Sequence, residues 1–175
     1  IVLLASSGIH ANGLSLARKL AERLPQGYLS EVAPGLGFGE ALLAPTTLYS
    51  PVTEALWDAG VRVHYCANIT GHGWRKLLRH PATLTYRIQK IPAVPPVLAF
   101  MQQHARQDDH EAYGTLNMGA GFALFVAADE AQRCVEIARS QGVDALVAGR
   151  VEAGPKRLIV EPLHIEYGDD ALQLR

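Results

Sequence analysis

Cysteine is nearly absent: Cys66 and Cys134 are the two thiols in 175 residues, and neither falls in a CxxC or other metal-ligand spacing. Such usage argues against a disulfide framework and points to two buried thiols in a reducing, cytoplasmic compartment. Long apolar runs are missing as well, so neither a membrane span nor a signal peptide is expected. Charge of one sign is also lacking, since 16 Lys plus Arg stand against 17 Asp plus Glu for a formal net charge of −1. With no global field, nucleic acid and membranes are not expected partners, and any anion must be held locally. The seven histidines, His10, His64, His72, His80, His104, His110 and His164, form no HxxxH or HExxH pattern, so no metal site is expected. An initiator Met is missing too, and the chain begins directly on a strand pattern, as a domain cut from a longer polypeptide would.

What is present is a chain with 49% hydrophobic and 19% charged residues, long enough to form one domain over residues 1–175 with a core that needs no metal or disulfide. Its most informative stretch is Ala5-Ser6-Ser7-Gly8-Ile9-His10-Ala11-Asn12-Gly13, between the apolar run Ile1 to Leu4 and a helix whose face is Leu16, Ala17, Leu20, Ala21 and Leu24. A helix N-terminus presents amides without intrahelical partners and the positive end of the macrodipole, which favours a phosphate or carboxylate. Gly8 and Gly13 permit close approach, Ser6 and Ser7 add hydroxyl donors, and Asn12 can cap the helix or turn to a ligand. A second reading stays open, in which Ser and Asn satisfy only their own turn.

Further along, Pro25 to Gly39 reads as a surface loop, and Ser50 as the cap of a helix that has Pro51 at its start and buries Val52, Ala55, Leu56 and Trp57, with Trp57 in the core or a subunit interface. Val61 to Ala67 alternates as a strand and delivers the chain to Asn68-Ile69-Thr70-Gly71-His72-Gly73, a second glycine-bearing turn before a short helix from Trp74 to Leu78. Two such turns can converge on one anion if their strands end at the same sheet edge. Leu84 to Ile88 is a strand, Pro92, Pro95 and Pro96 introduce a helix in which Val97, Leu98, Met101 and Ala105 repeat at helical spacing, and Asp108 to Tyr113 is a short helix; Asp108, Asp109 and Glu111 can bind magnesium but more often begin and cap a helix. A third glycine turn, Leu116-Asn117-Met118-Gly119-Ala120-Gly121, leads into a buried strand from Gly121 to Ala127. Asp129 with Gln132 reads as a capping pair for a helix carrying Ala131, Cys134, Val135 and Ala138. Ala145 to Ala148 and Leu158 to Val160 read as two strands joined by a turn at Glu152 to Pro155, and the tail from Glu161 to Arg175 has few landmarks.

Four collinear blocks carry a resemblance: Ala5 to Leu16, Leu42-Leu43-Ala44-Pro45-Thr46-Thr47-Leu48-Tyr49, Asn68 to Gly73, and His110-Glu111-Ala112-Tyr113-Gly114-Thr115 continuing through Gly121. The chain resembles the C-terminal domain of phosphoribosylformylglycinamidine cyclo-ligase, or AIR synthase. The departures are Ala11, where that family has serine, Asn68 and His72 in a block usually written His-Ile-Thr-Gly-Gly-Gly, and Gly114, where an Arg usually stands.

The resemblance implies an α+β fold, a three-layer α/β/α arrangement with a mixed β-sheet and partial likeness to a ferredoxin-like fold. It implies a reaction in which ATP activates the formyl oxygen of formylglycinamidine ribonucleotide and an amidine nitrogen closes the imidazole ring. ATP and Mg2+ would be bound mainly by an N-terminal domain outside this chain, which is the expected partner along with a second subunit in a homodimer. The expected role here is gripping a phosphorylated small-molecule substrate with Ser6, Ser7, Gly8, His10, Asn12 and Gly13, then Asn68, Thr70, Gly71, His72 and Gly73, then Asn117, Gly119 and Gly121. His10 and His72 are candidate cations or donors, and the chain alone is expected to show no turnover. Selenophosphate synthetase, thiamine-monophosphate kinase and a hydrogenase maturation factor share the domain plan, so another phosphorylated substrate, or a binding module without catalysis, stands as the alternative.

Overall fold

The computed structural model describes residues 1–172. In chain order, β1 (Val2–Ala5) leads to α1 (Leu14–Ala21), a small hairpin of β2 (Glu31–Ala33) and β3 (Leu36–Gly37), α2 (Phe38–Leu42), α3 (Ser50–Asp58) and β4 (Val63–Asn68). A 3-10 segment, Gly73–Arg79, precedes β5 (Leu84–Ile88), α4 (Pro96–Ala105), α5 (Asp109–Thr115), β6 (Ala120–Val126) and α6 (Ala131–Ser140). The chain continues through β7 (Ala145–Val147), β8 (Gly149–Ala153), β9 (Arg157–Val160) and β10 (Ile165–Gly168). Among the described residues no helix is long and apolar enough to cross a membrane.

The strands divide between two four-stranded sheets in an α+β fold. The first has the order β4-β6-β1-β7 with every pairing antiparallel. Its central β1 is apolar at successive positions because both faces are covered: Leu3 packs into the larger core with Ala123 and Phe125, while Val2 and Leu4 pack under α3 and α6 with Val52, Leu56, Cys134 and Val135. The second sheet, β10-β9-β5-β8, is mixed, with β5 parallel to β9 and antiparallel to β8. It shares the larger core, to which it contributes Tyr86, Ile88, Leu158 and Val160. Arg87 ties it together on the other face, its Nε 3.1 Å from Glu152 and its Nη1 2.9 Å from Glu161.

Several expectations change. Pro25 to Gly39 is not a bare loop, since it holds a 3-10 turn, the β2–β3 hairpin turning at Gly35, and the first residues of α2. The Ser50 hydroxyl does not cap α3, whose cap is Tyr49 with no side-chain hydrogen bond, and Trp57 is 81% exposed rather than core. The Asp129–Gln132 pair does not cap α6, because a 3-10 turn at Ala128–Glu130 enters the helix and makes Glu130 its cap. Ala145 to Ala148 and Leu158 to Val160 do not pair: β8 intervenes, and β8 and β9 flank β5 from opposite sides in the second sheet. Cys134 is buried but Cys66 is exposed, on the outward face of edge strand β4 between Tyr65 and Ala67. The tail forms β10 against β9, and the remainder of that expectation, residues 173–175, lies outside the described residues.

Candidate functional site at a three-loop junction

Strand direction decides where the glycine-bearing turns fall. Both β1 and β4 run antiparallel to β6, which lies between them, so both end at the sheet edge where β6 begins. The turn after β1, the turn after β4 and the turn before β6 therefore meet. The Ser6 amide donates to the Gly119 carbonyl at 2.9 Å, and the Ile69 amide to the Gly121 carbonyl at 2.9 Å. The third turn is the bridge between the other two.

Asn117, 0% exposed, holds that bridge. Its Oδ1 accepts from the Ser6 hydroxyl at 2.7 Å and the Gly119 amide at 3.0 Å, and its Nδ2 donates to the carbonyls of Gly8 at 2.8 Å and Ile9 at 3.3 Å. Its own carbonyl accepts from the buried Trp74 indole at 2.7 Å, which fastens the segment after the second turn. Asn12 also looks inward, Nδ2 donating to the Thr115 carbonyl at 3.4 Å, while its Oδ1 is buried without a partner. The Ser7 hydroxyl donates to the Pro45 carbonyl at 2.6 Å. The side chains of Ser6, Ser7, Asn12 and Asn117 thus bond to the loops themselves and shape them.

The two histidines of these turns both sit in the left-handed region, His10 at φ 54° and His72 at φ 82°. His10 Nε2 receives the Ser7 amide at 3.0 Å, so that nitrogen carries a lone pair and the proton is on Nδ1. Burial lowers its pKa and so favours the neutral ring, which, of the two roles expected from sequence, cation or donor, weighs against the cation. His72 Nδ1 lies 2.8 Å from the Gly71 carbonyl and donates to it, folding the ring back on its own turn. The left-handed backbone explains why a glycine is at home at position 72.

Two glycines answer to close packing. At Gly121 a β-carbon would strike the Tyr49 hydroxyl and the His10 ring; that hydroxyl instead donates to the Ala5 carbonyl at 2.8 Å, and burial raises its pKa well above the usual phenol range. At Gly73, with φ 52°, it would enter the carbonyls of Tyr113 and Leu116. Gly71 is different: nothing lies within 4 Å of where its β-carbon would stand, and its backbone is not left-handed. In the first turn begins α1, whose first satisfied amide is that of Ala17, donating to Gly13, so helix geometry leaves Leu14, Ser15 and Leu16 without intrahelical acceptors. The segment entered by the second turn is a seven-residue 3-10 helix rather than an α-helix, so the second turn adds little dipole.

Two cations were missed in the sequence. Lys76 Nζ donates to the Thr70 hydroxyl at 2.6 Å, and its pKa is lowered first by burial and then by Arg79. Arg75 lies against Gly114: its Nε donates to the Gly114 carbonyl at 2.7 Å and the His72 carbonyl at 3.3 Å, and its Nη1 to the Ala171 carbonyl at 2.9 Å. The place left by an arginine at 114 thus holds a guanidinium from another element, in a cleft of about 580 Å3 lined also by His110, Tyr167 and Asp170. The adjacent pair in Trp74-Arg75-Lys76 was the available signal. Asp108 caps α5, accepting from the Glu111 amide at 2.7 Å, and Asp109 receives Gln102, so this acidic cluster serves the helix start.

The fold and the junction define a layered α+β domain in which three glycine-bearing turns meet at one end of a sheet. More particularly, residues 1–161 match the family model for the AIR synthase related protein, C-terminal domain, and the chain belongs to that family. Curated relatives include phosphoribosylformylglycinamidine cyclo-ligase of Methanococcus maripaludis, 39% identical over 154 residues covering 87% of this chain and 44% of the relative. The enzyme of the same name from Gloeothece citriformis is 32% identical over 165 residues, covering 91% of this chain and 48% of the relative. The chain thus spans about half the length of the curated relatives it matches. The crystal structure of tt0281 from Thermus thermophilus superposes with a TM-score of 0.51 at 20% identity over 94% of this chain and 50% of that one, a likeness of fold.

Proposed function

We propose that this chain is the substrate-gripping half of an ATP-dependent phosphoribosylformylglycinamidine cyclo-ligase of purine biosynthesis, holding the phosphate of a ribonucleotide at the three-loop junction. The observation that carries this reading is the junction itself, which combines open main chain at Gly71 with the unpaired amides that begin α1. The Lys76 ammonium at Thr70 supports it with a cation. ATP and Mg2+ belong to the half supplied by an N-terminal domain, with a homodimer as the working form. Free Cys66 and Cys134 fit a cytoplasmic setting.

A second reading rests on His72, whose ring leans over the Gly71 carbonyl where the family has glycine and so narrows the approach. A different phosphorylated substrate would then be favoured. Thermal unfolding of the chain with formylglycinamidine ribonucleotide, thiamine phosphate and inorganic phosphate separates the readings. The expected result is a saturable rise in Tm that is largest for formylglycinamidine ribonucleotide. A larger rise with thiamine phosphate favours the divergent substrate, and no rise with any of them leaves a binding or regulatory module.

A further inference from the structure

The cleft beside Arg75 lies between α5, the 3-10 segment Gly73–Arg79 and the end of the second sheet at β10, and none of the junction residues lines it. Its volume of about 580 Å3 is within the usual range of roughly 300–1,000 Å3 for small-molecule sites. His110, Glu111, Gly114 and Thr115 line it from α5 at the three- and four-residue spacing that puts side chains on one face of a helix. Glycine at 114 keeps that face open: a β-carbon there would stand 3.6 Å from Arg75 Nε and 3.5 Å from the Tyr167 hydroxyl.

The charges of the cleft are not neutralised within it. Arg75 is fixed by the carbonyls of Gly114, His72 and Ala171, which engage Nε and Nη1 but carry no formal charge. Among the described residues it has no carboxylate partner. Its Nη2 bonds no described residue, and unlike the sealed Gln107 Oε1 of the same cleft it keeps accessible surface. A half-buried guanidinium, held rigid and with one edge to spare, is a receptor for a carboxylate. The acidic side is equally incomplete. Glu166 is taken by Arg157 at 3.1 Å, but Glu111 and Asp170 are exposed and pair with no described cation. The Asp170 carboxylate turns toward the cleft-lining Gly168, with Oδ1 2.9 Å from where a β-carbon of that glycine would stand. A plain anion here meets two carboxylates and a plain cation meets Arg75, whereas a molecule that carries both charges satisfies each.

We propose that this cleft binds a zwitterionic α-amino acid, with its carboxylate on Arg75 and its ammonium on Glu111 and Asp170. The site is separate from the phosphate junction, and its failure would leave that reading untouched. L-Leucine, 4-methylpentanoate and isopentylamine test it, because they share one aliphatic chain and carry both charges, the carboxylate alone, or the ammonium alone. In nitrogen-15 chemical-shift titrations leucine should move the Arg75 Nε–H and the Glu111 and Gly114 amides on one saturating curve. It should bind roughly three- to tenfold more tightly than either singly charged analogue, as one or two partly exposed ion pairs allow. Glu111→Gln combined with Asp170→Asn should remove the advantage over 4-methylpentanoate with Tm unchanged, since both positions are exposed. Gly114→Met should block all three probes and keep the fold, because a β-carbon at 114 meets nothing closer than 3.4 Å and methionine is a better helix former than glycine. Equal affinities for the three probes, an advantage that survives the double variant, or no movement of Arg75 and Glu111 up to the solubility limit of leucine overturns the proposal.

Discussion

His10 couples a charge state to the shape of the first turn. Its Nε2 accepts the Ser7 amide at 3.0 Å and stands 3.1 Å from the Ser7 hydroxyl, and protonation would turn that acceptor into a donor facing a donor. Burial lowers the folded-state pKa from 6.5, so the unfolded chain takes up the proton first as pH falls. The stability His10 contributes is therefore present above 6.5 and lost as pH falls through the lower folded value. Urea unfolding from about pH 7 to about pH 5 should show a falling midpoint, and His10→Gln should flatten that slope. An equal slope in the variant would show that another group sets the pH dependence. Sequence alone flagged His10, because it stands between glycines in a loop, but not its neutrality, which depends on a left-handed backbone and on the Pro45–Tyr49 block packed around it.

At the scale of elements, the second turn shows that its three residues Gly71, His72 and Gly73 obey different demands. Gly73 enters the 3-10 segment against the carbonyls of Tyr113 and Leu116, whereas Gly71 faces open space. Gly73→Ala should cost about 2–4 kcal/mol from left-handed strain and overpacking, and Gly71→Ala should stay within ~0.5 kcal/mol. Comparable losses in chemical denaturation would mean that Gly71 is held by packing and not open to a ligand. Regular elements were legible where one physical rule ruled: Leu84 to Ile88 is a strand to the residue, and α4 follows the prolines at 92, 95 and 96 and begins at the last of them. Elements were lost where tertiary context decided, as with the β2–β3 hairpin, whose three- and two-residue strands are too short to show a period. The missed β8 has the same cause, since Gly149 to Ala153 is mostly exposed and carries polar residues on its outer face.

For the whole molecule, the arrangement of strands does the work that no single loop can. The turns after β1 and β4 come together because β6 lies between them and opposes both, and the third turn, which opens β6, closes the junction. Their glycines and spacing marked these turns in the sequence, but the intervening strand did not, nor did the inward direction of Ser6, Asn12 and Asn117, which is set by contacts more than 100 residues apart. The division into two sheets was equally hidden, because it turns on β5 pairing with β8 and β9 across long sequence separations. The most direct test of the junction as an anion site is a titration of the nitrogen-15-labelled chain with inorganic phosphate, in parent and Gly71→Val forms. The expected result is that the amides of Leu14, Ser15, Gly71 and His72 shift together on one saturating curve, and that the valine, which has free space, removes the response while leaving Tm unchanged. Shifts scattered elsewhere on the molecule, or a response that Gly71→Val leaves intact, would contradict it.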